Sequence, residues 1–436
     1  MSRRYVIIGA GAAGIAAAEA IARRDPAGEL LLVGDEAHPP YSRPGPAYYL
    51  NGELPEDRLF LPQGKDLRRI CATAVALDPA ARRVTLHDGR RLVYDRLLIA
   101  AGSVAASLPL PGADLAGVVK LDTLDDARRI LKLARRRKGA VVVGGGITAL
   151  AIVEGLSARG MKLHYFLRGD RYWRGVLNRA ESAVVEQRLQ AEGVQLHYRT
   201  QAAKILGKKG RVSGVQTTAG AQIACVLVAV AVGVRPRLEL AASAGLKVER
   251  GILTDEYLQT SAPDVYAAGD VAQVFDPFSG RAVLDTLWGK AVAQGRAAGQ
   301  NMAGERVPYR KGVPFNVTRL AGLTTTIIGA VGRGSDDDLV SIARGDSETW
   351  RQLPGLIAAQ SDLGVNRIRL TLGQNTLLGA VVMGDQTLSR PLHQLIARRA
   401  DIAPLKDRLL VPHAPLTDLI SEFWRIWSRN NAQKTG

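Results

Sequence analysis

Apolar residues in this chain gather into short runs, most of them closed by a glycine-rich turn or followed by a stretch of helical length. Tyr5 to Ile8, Leu30 to Val33, Ala140 to Val143, Leu163 to Leu167, Val226 to Val232 and Val265 to Ala267 are runs of this kind. Such apolar-rich runs predict strands buried on both faces. Between the first two lie Gly9-Ala10-Gly11-Ala12-Ala13-Gly14 and an alanine-rich helix predicted over Ile15 to Arg24. Between the next two lie Gly144-Gly145-Gly146-Ile147-Thr148-Ala149 and a helix predicted over Leu150 to Arg159. Strand, turn, helix and strand in succession predict parallel α/β architecture, used here twice. After about residue 312 the texture changes to alternation, as in Arg367-Ile368-Arg369-Leu370-Thr371-Leu372 and then Leu378 to Met383, which predicts an antiparallel α+β domain.

Length and composition narrow the class without naming a chemistry. At 436 residues the chain exceeds one ordinary core, so two or three domains are expected. With 47% hydrophobic and 23% charged residues it is globular rather than disordered or fibrous. Lys plus Arg outnumber Asp plus Glu by 58 to 41, and the net charge of +17 favours anions: nucleotides, acidic redox proteins, nucleic acid or an anionic membrane surface. Cys71 and Cys225 form no CxxC pair, which fits a reducing, cytoplasmic setting, and both are expected to be inert core thiols. Ser2-Arg3-Arg4-Tyr5 loosely imitates a twin-arginine leader, but the first glycine loop follows at once, so no export signal is expected. The longest apolar run, Ile223 to Val234, is well short of the ~20 residues of a spanning helix. The six histidines lack metal-ligand spacing, so no metal site is expected.

The first glycine loop carries the strongest chemistry. It follows a strand, opens a helix and has acids, Asp35 and Glu36, about 20 residues beyond its last glycine. Glycines there let the backbone approach a pyrophosphate at the helix N-terminus, while a carboxylate accepts from ribose hydroxyls. The alternative is a tight strand-to-helix turn without ligand. The second loop has Ala149 at its third glycine position, and its strand ends in Leu167 followed by Arg168 and Arg171. A missing carboxylate with arginine nearby suits a 2′-phosphate, so NADPH is preferred over NADH; otherwise both arginines belong to a solvated basic surface.

Taken in order, the first loop, Pro40-Tyr41-Ser42-Arg43-Pro44, Leu98-Ile99-Ala100-Ala101-Gly102-Ser103, the second loop and Tyr266-Ala267-Ala268-Gly269-Asp270 resemble a known pattern. It is that of the two-dinucleotide flavoproteins of glutathione reductase type, and within them the branch of ferredoxin, rubredoxin and nitrite reductase flavoproteins. The likeness covers roughly residues 4 to 400. It implies two Rossmann-like domains and a C-terminal α+β interface domain: FAD-binding over 1–112 and 252–312, NAD(P)H-binding over 113–251, α+β over 313–405, and a tail over 406–436.

By the same resemblance Gly9, Gly11, Ala13 and Gly14 hold the FAD pyrophosphate with Arg43, and Asp35 or Glu36 takes the adenosine ribose. The backbone near Ala74 faces the adenine, Gly102 belongs to the FAD site, and Asp270 receives the ribityl chain. Gly144, Gly146, Ala149, Arg168 and Arg171 would hold NADPH, with Gly233 near the nicotinamide. Trp288 matches a flavin neighbour, and Tyr48 or Tyr49 stands where one flavin face is closed; core packing is the alternative for each. The family's cysteine position, within Ser42 to Tyr49, holds no cysteine, which excludes disulfide and peroxide chemistry there. The branch's lysine and glutamate are replaced by Tyr48 and Ala151.

The expected activity is therefore hydride uptake from NADPH by FAD and electron delivery to an acidic electron carrier or a redox subunit, with no dedicated catalytic side chain. A homodimer is implied by the family's interface domain, and nucleic acid is not expected as a partner. Two other readings stay open. Leu416 to Trp427 form an amphipathic helix that either packs on the protein or, with its tryptophans and arginines, anchors a peripheral-membrane quinone reductase. A redox-responsive FAD-binding scaffold with low turnover is the other. The basic runs Lys65 to Arg69 and Arg135 to Lys138 are solvated faces or a docking patch.

Overall fold

The computed structural model describes residues 2–62, 67–135, 138–332, 342, 344–351, 357–363 and 366–432. Lys65 and Asp66 of one basic run, and Arg136 and Arg137 of the other, lie outside the described residues. The chain forms two compact units. One comprises Met1–Phe166, Gln201–Lys311 and Ser341–Asp346; the other comprises Leu167–Thr200, Gly312–Val340 and Ser347–Gly436.

The first unit holds two parallel sheets. In one, the strands run in the order Val265–Ala267, Arg96–Ile99, Arg4–Ile8, Glu29–Gly34 and Arg68–Cys71, all neighbours parallel. Val6, Ile7, Leu32, Leu97, Leu98 and Val265 are buried, as strands covered on both faces require. The helix Ala12–Arg24 covers this sheet and packs on a second helix, Trp288–Met302. Small residues set that contact. A Cβ on Gly295 would overlap the Ala13 carbonyl, and one on Gly299 the Ala17 carbonyl, so the two backbones approach directly.

The other parallel sheet has the strands Lys162–Leu167, Gly139–Val143, Leu227–Val230 and Val118–Val119 side by side, with the helix Ile147–Ser157 against it. A short antiparallel ladder joins the two halves: Ser103–Ala105 pairs with Val234–Pro236, in register Ala105 with Val234 and Ser103 with Pro236. Cys71 departs from expectation. It is exposed, because its strand lies at the sheet edge, whereas Cys225 is buried as predicted.

The second unit is built on a five-stranded antiparallel sheet, ordered Phe315–Leu320, Leu323–Gly329, Leu377–Met383, Asn366–Leu372 and Ile357–Leu363. Its core joins Ile328, Leu370, Ala380 and Val382 from the sheet to Leu392, Leu395 and Leu405 from two helices, and to Leu416, Leu419 and Ile420 from the helix Leu416–Ala432. That last helix thus packs on its own unit, leaving Phe423, Trp424 and Trp427 partly buried. Among the described residues no helix is long and apolar enough to cross a membrane.

Candidate functional site

Both glycine loops use the same backbone device. Gly9 has φ +114°, and a Cβ there would overlap the Ala100 carbonyl; a Cβ on Gly14 would overlap the Gly9 carbonyl. Gly11 differs. It caps the helix Ala12–Arg24 in an extended conformation, and a side chain added to it would meet open space. No side chain caps that helix and no acid stands in its first turn, so its first N–H groups face outward as donors to an anion. The second loop repeats this. Gly144 has φ +147° and fits only without a Cβ against the Ala231 carbonyl, Gly145 faces open space, and Gly146 caps the helix Ile147–Ser157 without a side-chain bond or a first-turn acid. Ala149, at the third glycine position, is fully buried.

At the ribose end of the first loop the two acids are held differently. Asp35 accepts from Arg237 at 2.7 Å. Burial acts to raise its pKa, but the Arg237 bond and charge outweigh that and hold it below the ordinary carboxylate range. Glu36 pairs with Arg43 and accepts from the Tyr41 hydroxyl at 2.6 Å. Asp35, Glu36, Tyr41 and Arg43 line one recess with Ala10, Gly34, His38 and Arg69. Arg43 lies over the Tyr41 ring, 4.9 Å from its centroid. Ala74 begins the antiparallel strand Ala74–Asp78 and is half-buried.

Further along, Gly102 and Gly233 stand just before the two strands of the short ladder, with φ +69° and +118°. The Arg237 N–H donates to the Gly102 carbonyl at 3.0 Å and the Ala106 N–H to the Gly233 carbonyl at 2.9 Å. Asp270 accepts from Ser103 Oγ at 2.6 Å. It lies deep in the protein and is only partly accessible. Burial raises its pKa, opposed by Arg344, Ser103 and Arg43, with Asp122 adding to the rise. Trp288 opens its helix and packs half-buried against the first core, and Tyr48 is half-buried in the helix Gly45–Asn51.

Arg168 is exposed directly beyond the strand Lys162–Leu167. Arg171 is engaged locally: it pairs with Asp170 at 3.0 Å and donates to the carbonyls of Leu177 and Arg174. Sequence reasoning missed Arg237, Asp122 and Arg344. The first stands in the run Val234-Arg235-Pro236-Arg237, so the ladder after Gly233 was a usable signal; Arg344 belongs to no motif. Among the described residues no group of three or more His, Cys, Asp or Glu is placed to hold a metal.

A bound dinucleotide fits this geometry, since each loop opens at its central glycine, offers uncapped N–H groups and carries no competing acid. The sequence profile of the family described as pyridine nucleotide-disulphide oxidoreductase matches residues 3–295. The chain belongs to this family. FAD and a nicotinamide nucleotide are the cofactors expected of its members, and oxidoreduction with electron transfer is their common activity. The chain is 29% identical to the NADH-dependent phenylglyoxylate dehydrogenase subunit epsilon of Aromatoleum evansii, over 97% of this chain and 98% of that protein. It is 34% identical to rhodocoxin reductase of Rhodococcus erythropolis, over 76% of this chain and 81% of that protein. The crystal structure of a ferredoxin reductase from Rhodopseudomonas palustris superposes with TM-score 0.78 at 26% identity, covering 88% of this chain and 91% of that one.

Proposed function

We propose that the chain is an FAD-dependent oxidoreductase that accepts a hydride from NADPH and passes electrons to an acidic electron-carrier protein or a redox subunit. The observation that carries the reading is the pair of glycine cradles in one unit, the first beside an acid-lined recess. When bound, FAD supplies two-electron acceptance from the nicotinamide and onward electron release. The protein's part is placement. Gly9, Gly11, Ala13 and Gly14 frame the FAD pyrophosphate, Glu36 and Asp35 face the ribose, Ala74 lies by the adenine, and Asp270 accepts from the ribityl hydroxyls. Gly144, Gly146, Ala149 and Gly233 frame the nicotinamide nucleotide. Arg168, exposed where an NAD-type site would carry an acid, supports NADPH over NADH.

No side chain is assigned as acid, base or thiol nucleophile. Cys225 is buried and its pKa is pushed up to about 12 by burial, and Cys71 stands at the edge of the first sheet. The near full-length similarity to an epsilon subunit supports a protein or subunit as acceptor, and the net charge of +17 supports an acidic one. The expected cytoplasmic homodimer belongs to this reading and is checked by sedimentation. The membrane-anchored quinone reductase is disfavoured, since Leu416, Leu419 and Ile420 are already buried. Anaerobic mixing with NADPH or NADH tests the whole: flavin absorbance should be lost, faster with NADPH. If neither nucleotide bleaches it, the oxidoreductase reading is wrong.

A further inference from the structure

Ile342 and residues 344–346 belong to the first unit although they lie far along the chain, and they are held there at two places. The Val234 N–H, one residue beyond Gly233, donates to the Ile342 carbonyl at 2.9 Å. At the other end Thr286 N–H donates to the Asp346 carbonyl at 3.0 Å, Gly345 N–H to the Thr286 carbonyl at 3.0 Å, and Asp346 N–H to Thr286 Oγ1 at 3.1 Å. Thr286 stands two residues before Trp288. Ile342 and residues 344–346 are therefore tied both to the ladder after Gly233 and to the start of the Trp288 helix.

Arg344, between these ties, forms an ion pair with the buried Asp122. Asp122 also accepts from the Ala105 N–H at 3.2 Å, two residues from the Ser103 whose hydroxyl holds Asp270. Ser103 bonds Asp270 directly; beyond burial, the charges that bear on it are Arg344 first and then Arg43, both favouring the carboxylate, and least of all Asp122, which opposes it. Arg344 Nε is buried and has no acceptor. A buried donor without a partner is rare in a finished site and marks a place where a ligand atom can accept.

We propose that Arg344, held in place by the bonds of Gly345 and Asp346 to Thr286, is a positioning residue of the FAD site that pairs with Asp122 and keeps Asp270 available as the acceptor for the ribityl hydroxyls. This rests on the assignment of Asp270 above. The physical reason is that two neighbouring carboxylates in a dry setting oppose each other's ionisation. Arg344 opposes that repulsion twice, by pairing with Asp122 and by its own charge on Asp270. Without it, Asp270 takes up a proton more readily and stops accepting from hydroxyls at that oxygen.

Acid-induced FAD release from the purified full chain, followed by flavin fluorescence, tests this with melting temperatures measured alongside. Arg344→Gln should move the release midpoint up by about one pH unit and weaken FAD about tenfold at a pH between the two midpoints. Arg344→Lys should restore most of the affinity. Asp122→Asn should move the midpoint the other way, to lower pH, because it removes the opposing charge. A merely structural pair would lower melting in both variants without opposite midpoint shifts, and that result overturns the proposal. If Arg344→Gln does not fold, Asp122→Asn decides alone: a midpoint that stays or rises is fatal. Wild-type protein that neither carries nor takes up FAD would refute the underlying cofactor reading instead.

Discussion

The two glycine loops share a backbone and differ in what surrounds it. Each has one glycine locked against a neighbouring carbonyl, Gly9 on Ala100 and Gly144 on Ala231, and one glycine facing open space, Gly11 and Gly145. Each opens an uncapped helix. At the next strand end they part. The first has Asp35 and Glu36, both neutralised by arginines, and the second has Leu167 and an exposed Arg168. What separates the loops is therefore not the main chain but the side chains at the strand end, acidic after the first and basic after the second.

The largest effect should come from filling a locked glycine. Gly9→Val meets a backbone carbonyl at φ +114° and should cost about 3 kcal/mol or prevent folding, read by thermal melting. Gly11→Val, at φ −86°, should purify without flavin and melt like flavin-free wild type. If both variants melt alike, the distinction between locked and ligand-facing glycines fails. Next, Arg168→Glu should reduce kcat/KM for NADPH roughly 100-fold, from losing and then reversing a charge-assisted contact, and alter NADH about twofold. Equal losses would return Arg168 to the solvated basic surface.

A smaller, pH-dependent effect concerns Asp270. Its folded pKa lies above the ordinary 3.8, mainly through burial. In flavin-free protein its ionised form therefore opposes folding, a cost absent below the unfolded value and complete above the folded one. Asp270→Asn should raise the melting temperature of flavin-free protein by about 2 °C at neutral pH, with no gain at the acid end, and weaken FAD about tenfold. A fall in melting temperature at neutral pH would contradict the sign. Smallest of all, a thiol reagent at pH 8 should find one fast cysteine in the native chain, lost in Cys71→Ser with no change in turnover.

Much of the fold was legible because buried parallel strands leave continuous apolar runs and glycine turns punctuate them. Boundaries were less so. The first helix was expected from Ile15 and begins at Ala12, and the second was expected from Leu150 and begins at Ile147, because each glycine loop donates its own last residues to the first helical turn. Gly14 is required there by the Gly9 carbonyl, a steric demand that hides as flexibility in the sequence. Cys71 was expected in the core, but apolar neighbours do not reveal that a strand lies at a sheet edge. The ion pairs Arg237 to Asp35 and Arg344 to Asp122 span 202 and 222 residues. Charge partners so far apart follow from topology, and a single sequence carries no local trace of them.

The strand order of the first sheet also bears on how the chain is made. Arg96–Ile99 waits for Val265–Ala267 as its outer neighbour, and Ala13 and Ala17 wait for Gly295 and Gly299. At ribosomal rates of 5–20 residues per second that gap lasts on the order of ten to thirty seconds. The second parallel sheet, whose strands all lie before Val265, can be complete in that interval. The nascent chain therefore finishes the half with the second glycine loop first and spends the delay with the half that carries the first loop open along one edge, the stage at which a chaperone would matter most.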